Sequence, residues 1–109
     1  MAQHAESESK RPDLRPRLVG AIASVVRWIG LIFALVLVVH VVLTVGSANP
    51  NNGITNFFAD VADPLAIGFK DLFTPSDPKL FVLVNYGLAA LFWLIVSGVL
   101  VKIIRRFAG

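Results

Sequence analysis

The sequence predicts an all-α membrane protein: a two-span transmembrane helical hairpin with short amphipathic interfacial helices in its external loop. Three observations carry that expectation. The chain of 109 residues is 56% hydrophobic and only 16% charged, where soluble domains carry about 25% charged residues. Its apolar residues gather in two long runs, and its basic residues flank those runs instead of spreading over a surface. The mean hydropathy is +0.74. The same composition removes whole classes of function, since so short a chain has no room for a separate soluble catalytic domain. With no cysteine, it offers no thiolate nucleophile, disulfide, cysteine zinc site or iron-sulfur cluster. The formal net charge of +3 is placed for lipid and not for nucleic acid.

Residues 1–17, MAQHAESESKRPDLRPR, contain one leucine and no aromatic. They cannot bury enough apolar surface to offset the entropy of ordering, so they read as a disordered basic cytoplasmic tail. Residues 18–45 read as the first transmembrane helix. Its centre, WIGLIFALVLVVHVVLTV from Trp28 to Val45, runs for about 18 residues without a formal charge and rises roughly 27 Å, close to the thickness of a hydrocarbon core. The preceding LVGAIASVVR extends it toward the cytoplasmic interface, where Arg27 can snorkel to headgroups and Trp28 can sit in the aromatic belt. Residues 80–104 read as the second transmembrane helix, centred on LFVLVNYGLAALFWLIVSGVLV, about 22 residues and roughly 33 Å long. Residues 105–109 close the chain on the cytoplasmic side. Valine and isoleucine abound in both runs, but two isolated strands in lipid would leave open backbone edges, so helices are expected.

Orientation follows from the flanks. Lys10, Arg11, Arg15, Arg17 and Arg27 precede or open the first span, and Lys102, Arg105 and Arg106 close the second, whereas the connecting loop holds only Lys70 and Lys79. The positive-inside rule then puts both termini in the cytoplasm of a plasma membrane and residues 46–79 outside. Those eight flanking cations are expected to contact lipid headgroups, including anionic ones. Gly46-Ser47-Ala48 resembles a signal-peptide cleavage site, but the apolar run exceeds the roughly 7 to 15 residues of such segments, so a retained anchor is expected.

The external loop, residues 46–79, opens on the turn formers Asn49-Pro50-Asn51-Asn52-Gly53. From Ile54 to Phe73, apolar residues recur at three- and four-residue spacing, a helical stripe. One continuous helix would hold Pro64 in its interior at a cost of about 3 kcal/mol. Two short helices are therefore expected, with Asp63 capping the second and Pro64 in its first position. Asp77-Pro78 repeats the device at the start of the second span, with Thr74-Pro75-Ser76 as the connecting turn. Phe57, Phe58, Phe69 and Phe73 are assigned to the membrane interface. Asp60, Asp63, Asp71 and Asp77 could together suit a cation or acid-base chemistry, yet capping accounts for two of them and no nucleophile or histidine lies near in sequence.

Within the spans, His40 lies about five residues inside the outer end of the first helix, and Asn85 and Tyr86 lie equally deep in the second. An interhelical contact among His40, Asn85 and Tyr86 is expected, through a His-Asn or His-Tyr hydrogen bond of about 0.6 kcal/mol. Proton or haem chemistry at His40 is the sharper alternative, but neither span offers an acidic partner, a second axial ligand or an attachment motif. No cofactor or metal is assigned. Small residues at Gly20, Ser24, Gly30 and Ala34, and at Gly87, Ala90, Ser97 and Gly98, permit close helix approach within the hairpin or with another subunit. Trp93 falls near mid-span, away from either belt, and so marks a protein contact.

The loop pattern resembles the YggT family of small bacterial and plastid membrane proteins. The likeness rests on Asn49, Pro50, Phe57, Asp63, Pro64, Leu65, Phe69, Lys70, Leu72 and Pro75 between two apolar spans, over residues 28 to 100. This chain departs from the pattern with Ile67 and Gly68 where the family has Arg or Pro, with Asp71 where it has a second basic residue, and with a shortened Ser76-Asp77-Pro78 element. The resemblance implies a non-enzymatic membrane protein, linked in the family to cell division, stress tolerance or assembly of membrane complexes, and supplies no catalytic residues. The expected function is therefore a membrane scaffold or assembly protein with protein partners in the bilayer. The alternatives are an accessory subunit of a respiratory or transport complex, and an oligomeric small transporter or channel, which the scarcity of polar lining disfavours.

Overall fold

The structure is a computed structural model that describes residues 14–107. Three α-helices follow one another: α1, Leu14–Val45; α2, Gly53–Leu65; and α3, Pro78–Arg106. A short 3-10 turn, Ile67–Phe69, follows α2. No strand occurs among the described residues. Both α1 and α3 are long and apolar enough to cross a membrane, and only 22% of the apolar stretch in each is buried within the protein. The core helix of a soluble protein would bury most of that surface.

α1 begins at Leu14, inside the segment expected to be tail, and residues 1–13 lie outside the described residues. Pro16 falls in its first turn, where its fixed φ suits the helix and its missing N–H would have had no partner. At the other end, the Ala48 N–H reaches the Leu43 carbonyl at 2.8 Å and the Ser47 N–H reaches the Thr44 carbonyl at 3.1 Å. This is a Schellman closure, with Ser47 at φ 58 in the position that usually falls to glycine. The chain then turns within Asn49–Asn52, where the Asn49 side chain accepts from the Asn51 N–H at 3.0 Å. Asn52 caps α2 by accepting from the Ile54 N–H at 2.8 Å.

α1 and α3 form an antiparallel hairpin whose register can be read along its length. Gly30 lies against Ser97, Phe33 against Trp93, His40 against Tyr86, and the Lys79 Nζ donates to Ser47 Oγ at 2.7 Å. Numbers rise in α1 as they fall in α3. The helices approach closely at Gly30, where a Cβ would overlap the Ser97 side chain.

α2 packs back along α1, so that Ala62 and Ala66, both fully buried, join Ala34, Leu37 and Val41 of α1 and Tyr86, Ala89 and Ala90 of α3 in one core. The expected break at Asp63-Pro64 is absent, and α2 continues through it to Leu65. The physical reason is the spacing of the two alanines: four residues apart, they share one face only if the turn between them stays helical. Pro64 sits in the last turn, so its lost N–H removes a bond only one residue before the helix ends. The break comes instead at Ile67, which adopts φ 52, a left-handed conformation that strains a β-branched residue.

The Gly30 contact predicts a large asymmetry between glycines. Gly30→Leu forces α1 and α3 apart and should lower stability in detergent by about 1–3 kcal/mol, the usual cost of overpacking. Gly87→Ala, at a position with nothing within 4 Å of an added Cβ, should leave the unfolding midpoint unchanged or raised. Equal midpoints for the two variants would show that the close approach does not hold the hairpin.

A candidate functional site where the loop meets the hairpin

The segment after α2 has to climb back beside the hairpin with only a short 3-10 turn to satisfy its backbone. Asn85 of α3 supplies what is missing. Its side chain is fully buried; its Oδ1 accepts from the Phe73 N–H at 2.8 Å, and its Nδ2 donates to the Phe73 carbonyl at 2.7 Å. An amide thus imitates one rung of a strand pair, and both polar groups of Phe73 are met inside the protein. About two turns lower on α3, the Trp93 Nε1–H donates to the Leu65 carbonyl at 2.8 Å. That carbonyl belongs to the last turn of α2 and has no partner along its own helix.

The expected contact among His40, Asn85 and Tyr86 is therefore divided. Asn85 turns to the loop backbone, while His40 and Tyr86 meet as rings, centroids 4.8 Å apart and planes at 61°. The acidic charge that acts on them comes from the loop and not from either span. Asp63 lies close enough for its charge to act on both His40 and Tyr86, and Lys70 on Tyr86. Asp63 is not a cap: in the last turns of α2 its carboxylate pairs with Lys70 Nζ at 2.6 Å, both side chains half-exposed. The hydrogen bond that Lys70 donates to Asp63, and then the charge of Asp63, raise the Lys70 pKa above the ordinary lysine value. Asp77 is the N-cap of α3, accepting from the Lys79 N–H at 3.0 Å with Pro78 in the first turn.

The phenylalanines separate into two kinds. Phe69 is partly buried against the core and stacks near Phe92 at 5.2 Å, and Phe58 is half-buried beside Phe57 at 5.3 Å. Phe57 and Phe73 stay 59% and 52% exposed, as do Ile54, Ile67 and Leu72 by half or more, so the loop shows an apolar outer surface although its backbone is fixed. Of the flanking cations, Arg15, Arg17 and Arg27 are exposed on α1, and Lys102, Arg105 and Arg106 on α3; Lys10 and Arg11 lie outside the described residues. Asp60 and Asp71 are exposed, and no group of three or more His, Cys, Asp or Glu is placed to hold a metal ion among the described residues.

Chemically, the arrangement is a brace: an amide and an indole of α3 bind the Phe73 and Leu65 backbone, beside an Asp63–Lys70 ion pair and a His40–Tyr86 ring contact. Sequence reading placed Trp93 in a protein contact but did not find its acceptor, and it missed the role of Asn85. The available signal was that a buried asparagine needs partners, and the spans supply almost none. Comparison with known proteins finds no matching family, no similar curated protein and no similar solved structure.

Two measurements test the brace. Asn85→Leu strands the Phe73 N–H and carbonyl and should cost about 1–3 kcal/mol, with hydrogen exchange accelerated at residues 66–77 and unchanged in the middle of α1. Exchange that rises evenly over all three helices would instead make Asn85 an ordinary packing residue. The Lys70 contribution has a definite sign in pH: a raised lysine stabilises fully below its unfolded value of 10.5 and loses that stabilisation as pH climbs through the folded value. Loop protection in the wild type should thus fall at alkaline pH, and Lys70→Met should abolish that fall.

Proposed function

We propose that this chain is a small multi-pass scaffold or assembly protein of the bacterial plasma membrane, YggT-like in its loop pattern, with α1 and α3 spanning the bilayer and both ends cytoplasmic. The observation that carries the reading is the loop's outer surface: Ile54, Phe57, Ile67, Leu72 and Phe73 are each at least half exposed on a backbone that Asn85 and Trp93 hold to the hairpin. A surface of large apolar side chains held in one shape is suited to recognition, because little entropy is lost when a partner orders it.

Depth adds a second support. The Asp63–Lys70 pair acts beside His40 and Tyr86, which lie about 7 Å below the outer end of α1. Ionisable groups at that depth face protein or water in membrane proteins and seldom lipid. A neighbouring polypeptide over the half-exposed pair meets that requirement. The brace also fits a re-entrant loop, since irregular backbone within a bilayer persists only where protein covers its polar groups.

Single cysteines give the topology cleanly, because the chain has none of its own. Asn51→Cys should react with an impermeant maleimide in intact cells, and Phe107→Cys only after permeabilisation; the reverse pattern would overturn the orientation. For the scaffold role, the wild type extracted in mild detergent should travel with a stoichiometric membrane partner that Phe57→Ser or Leu72→Ser releases while helix content is kept. Wild type that elutes as a lone monomer would remove the role, and a partner belonging to a respiratory or transport complex would favour the accessory-subunit reading.

A further inference from the structure

At the end of the hairpin opposite the loop, α3 and Arg27 of α1 border an open groove of about 390 Å³. Arg27 of α1 and Lys102 and Arg105 of α3 line it, and its floor is the apolar face of α3 at Leu94, Ile95 and Gly98. On α3 these positions follow a helical stripe, with the two cations at the inner end and the apolar residues running toward the middle of the helix. Among the described residues no acidic side chain lines the groove, and the acidic residues of the described stretch, Asp60, Asp63, Asp71 and Asp77, all belong to the loop at the far end. Gly98 opens the floor, for a Cβ built there meets nothing within 4 Å.

We infer that this groove is a binding site for one anionic glycerophospholipid of the cytoplasmic leaflet. Its phosphate is held among Arg27, Lys102 and Arg105, and one acyl chain lies over Gly98 along Leu94 and Ile95. Charge selects the headgroup: three cations from two helices converge on one space, and an arginine can grip phosphate oxygens with paired N–H groups. Shape selects a lipid over a free anion, since the slot continues from the cations about 12 Å along α3, the rise from Lys102 to Leu94. A basic pocket between helices at the cytoplasmic side is a recognised way to hold an acidic headgroup. Diffuse attraction of the flanking cations to an anionic surface would need neither the slot nor the convergence. The inference rests on the membrane-spanning reading of α1 and α3.

The test uses full-length protein purified in a neutral detergent and titrated with phosphatidylglycerol or phosphatidylcholine, read by native mass spectrometry and by thermal midpoint. One phosphatidylglycerol should be retained per chain and raise the midpoint, and phosphatidylcholine should do neither. Arg27→Gln, Lys102→Gln and Arg105→Gln should each weaken retention about fivefold, whereas Arg17→Gln should not. Gly98→Leu should weaken it with no change of charge, while the lipid-free midpoint and helix content stay as in the wild type. Equal retention of the two lipids, equal loss in Arg17→Gln, or the same stabilisation by inorganic phosphate would each overturn the site. A carbonate wash of the starting membranes separates this outcome from failure of the spanning reading: release by carbonate sinks the spans, and detergent-only extraction without lipid preference sinks the groove alone.

Discussion

The structure depends on a backbone accounting problem that Asn85 solves. Twelve residues of chain, from Ala66 to Asp77, must return along an apolar hairpin, and only a short 3-10 turn within them is helical. Each main-chain polar group left buried and unpaired there costs on the order of 1–3 kcal/mol. The asparagine satisfies two of them from one side chain, at the point where Phe73 passes α3. A hydrophobic residue at 85 would pack as well, but it would leave the loop without a fixed position.

Other features follow from where that clamp holds the chain. With Phe73 fixed on α3, α2 has to descend beside α1, and only alanines at 62 and 66 let it come close enough to share the core with Ala34, Ala89 and Ala90. The descent leaves the Leu65 carbonyl facing α3, where Trp93 donates to it. Trp93 also meets the edges of Phe33 and Phe92, so a single side chain couples the loop's lowest point to both long helices. The strained φ of 52 at Ile67 is the local cost of turning immediately below that point, and it persists because contacts on either side over-determine the backbone.

The long helices were legible in the sequence because length, apolarity and charge placement are properties of a segment by itself. Asp77-Pro78 was legible for the same reason: a cap needs only its next two residues. Asp63-Pro64 shows the limit, for the dipeptide is as good a helix start as the other, and what overrules it is the burial of Ala62 and Ala66 against residues far away in sequence. Local chemistry cannot reveal that two small side chains must share a face of one unbroken turn. His40 shows the same limit: it meets Tyr86 across the hairpin, and the spans hold no acidic residue, but the charge of Asp63 acts on it from α2, a placement that only the path of α2 creates.

The two ends of the hairpin are stabilised by different physics, and this bears on how such a chain can work. The loop end is dense in directed contacts: caps at Asn52 and Asp77, the clamp at Phe73, the indole bond and the Asp63–Lys70 pair. Toward the other end, packing rests on the Gly30–Ser97 approach and on small or slender residues such as Ala23 and Val101, and among the described residues cations and no acidic side chain line the groove beside them. Directed hydrogen bonds fix one geometry, while van der Waals contact between smooth helix faces tolerates small changes of crossing angle. The loop end therefore keeps its shape whatever surrounds it. The opposite end is held by fewer directed contacts, and among the described residues the charge lining its groove is positive, which favours an anionic occupant.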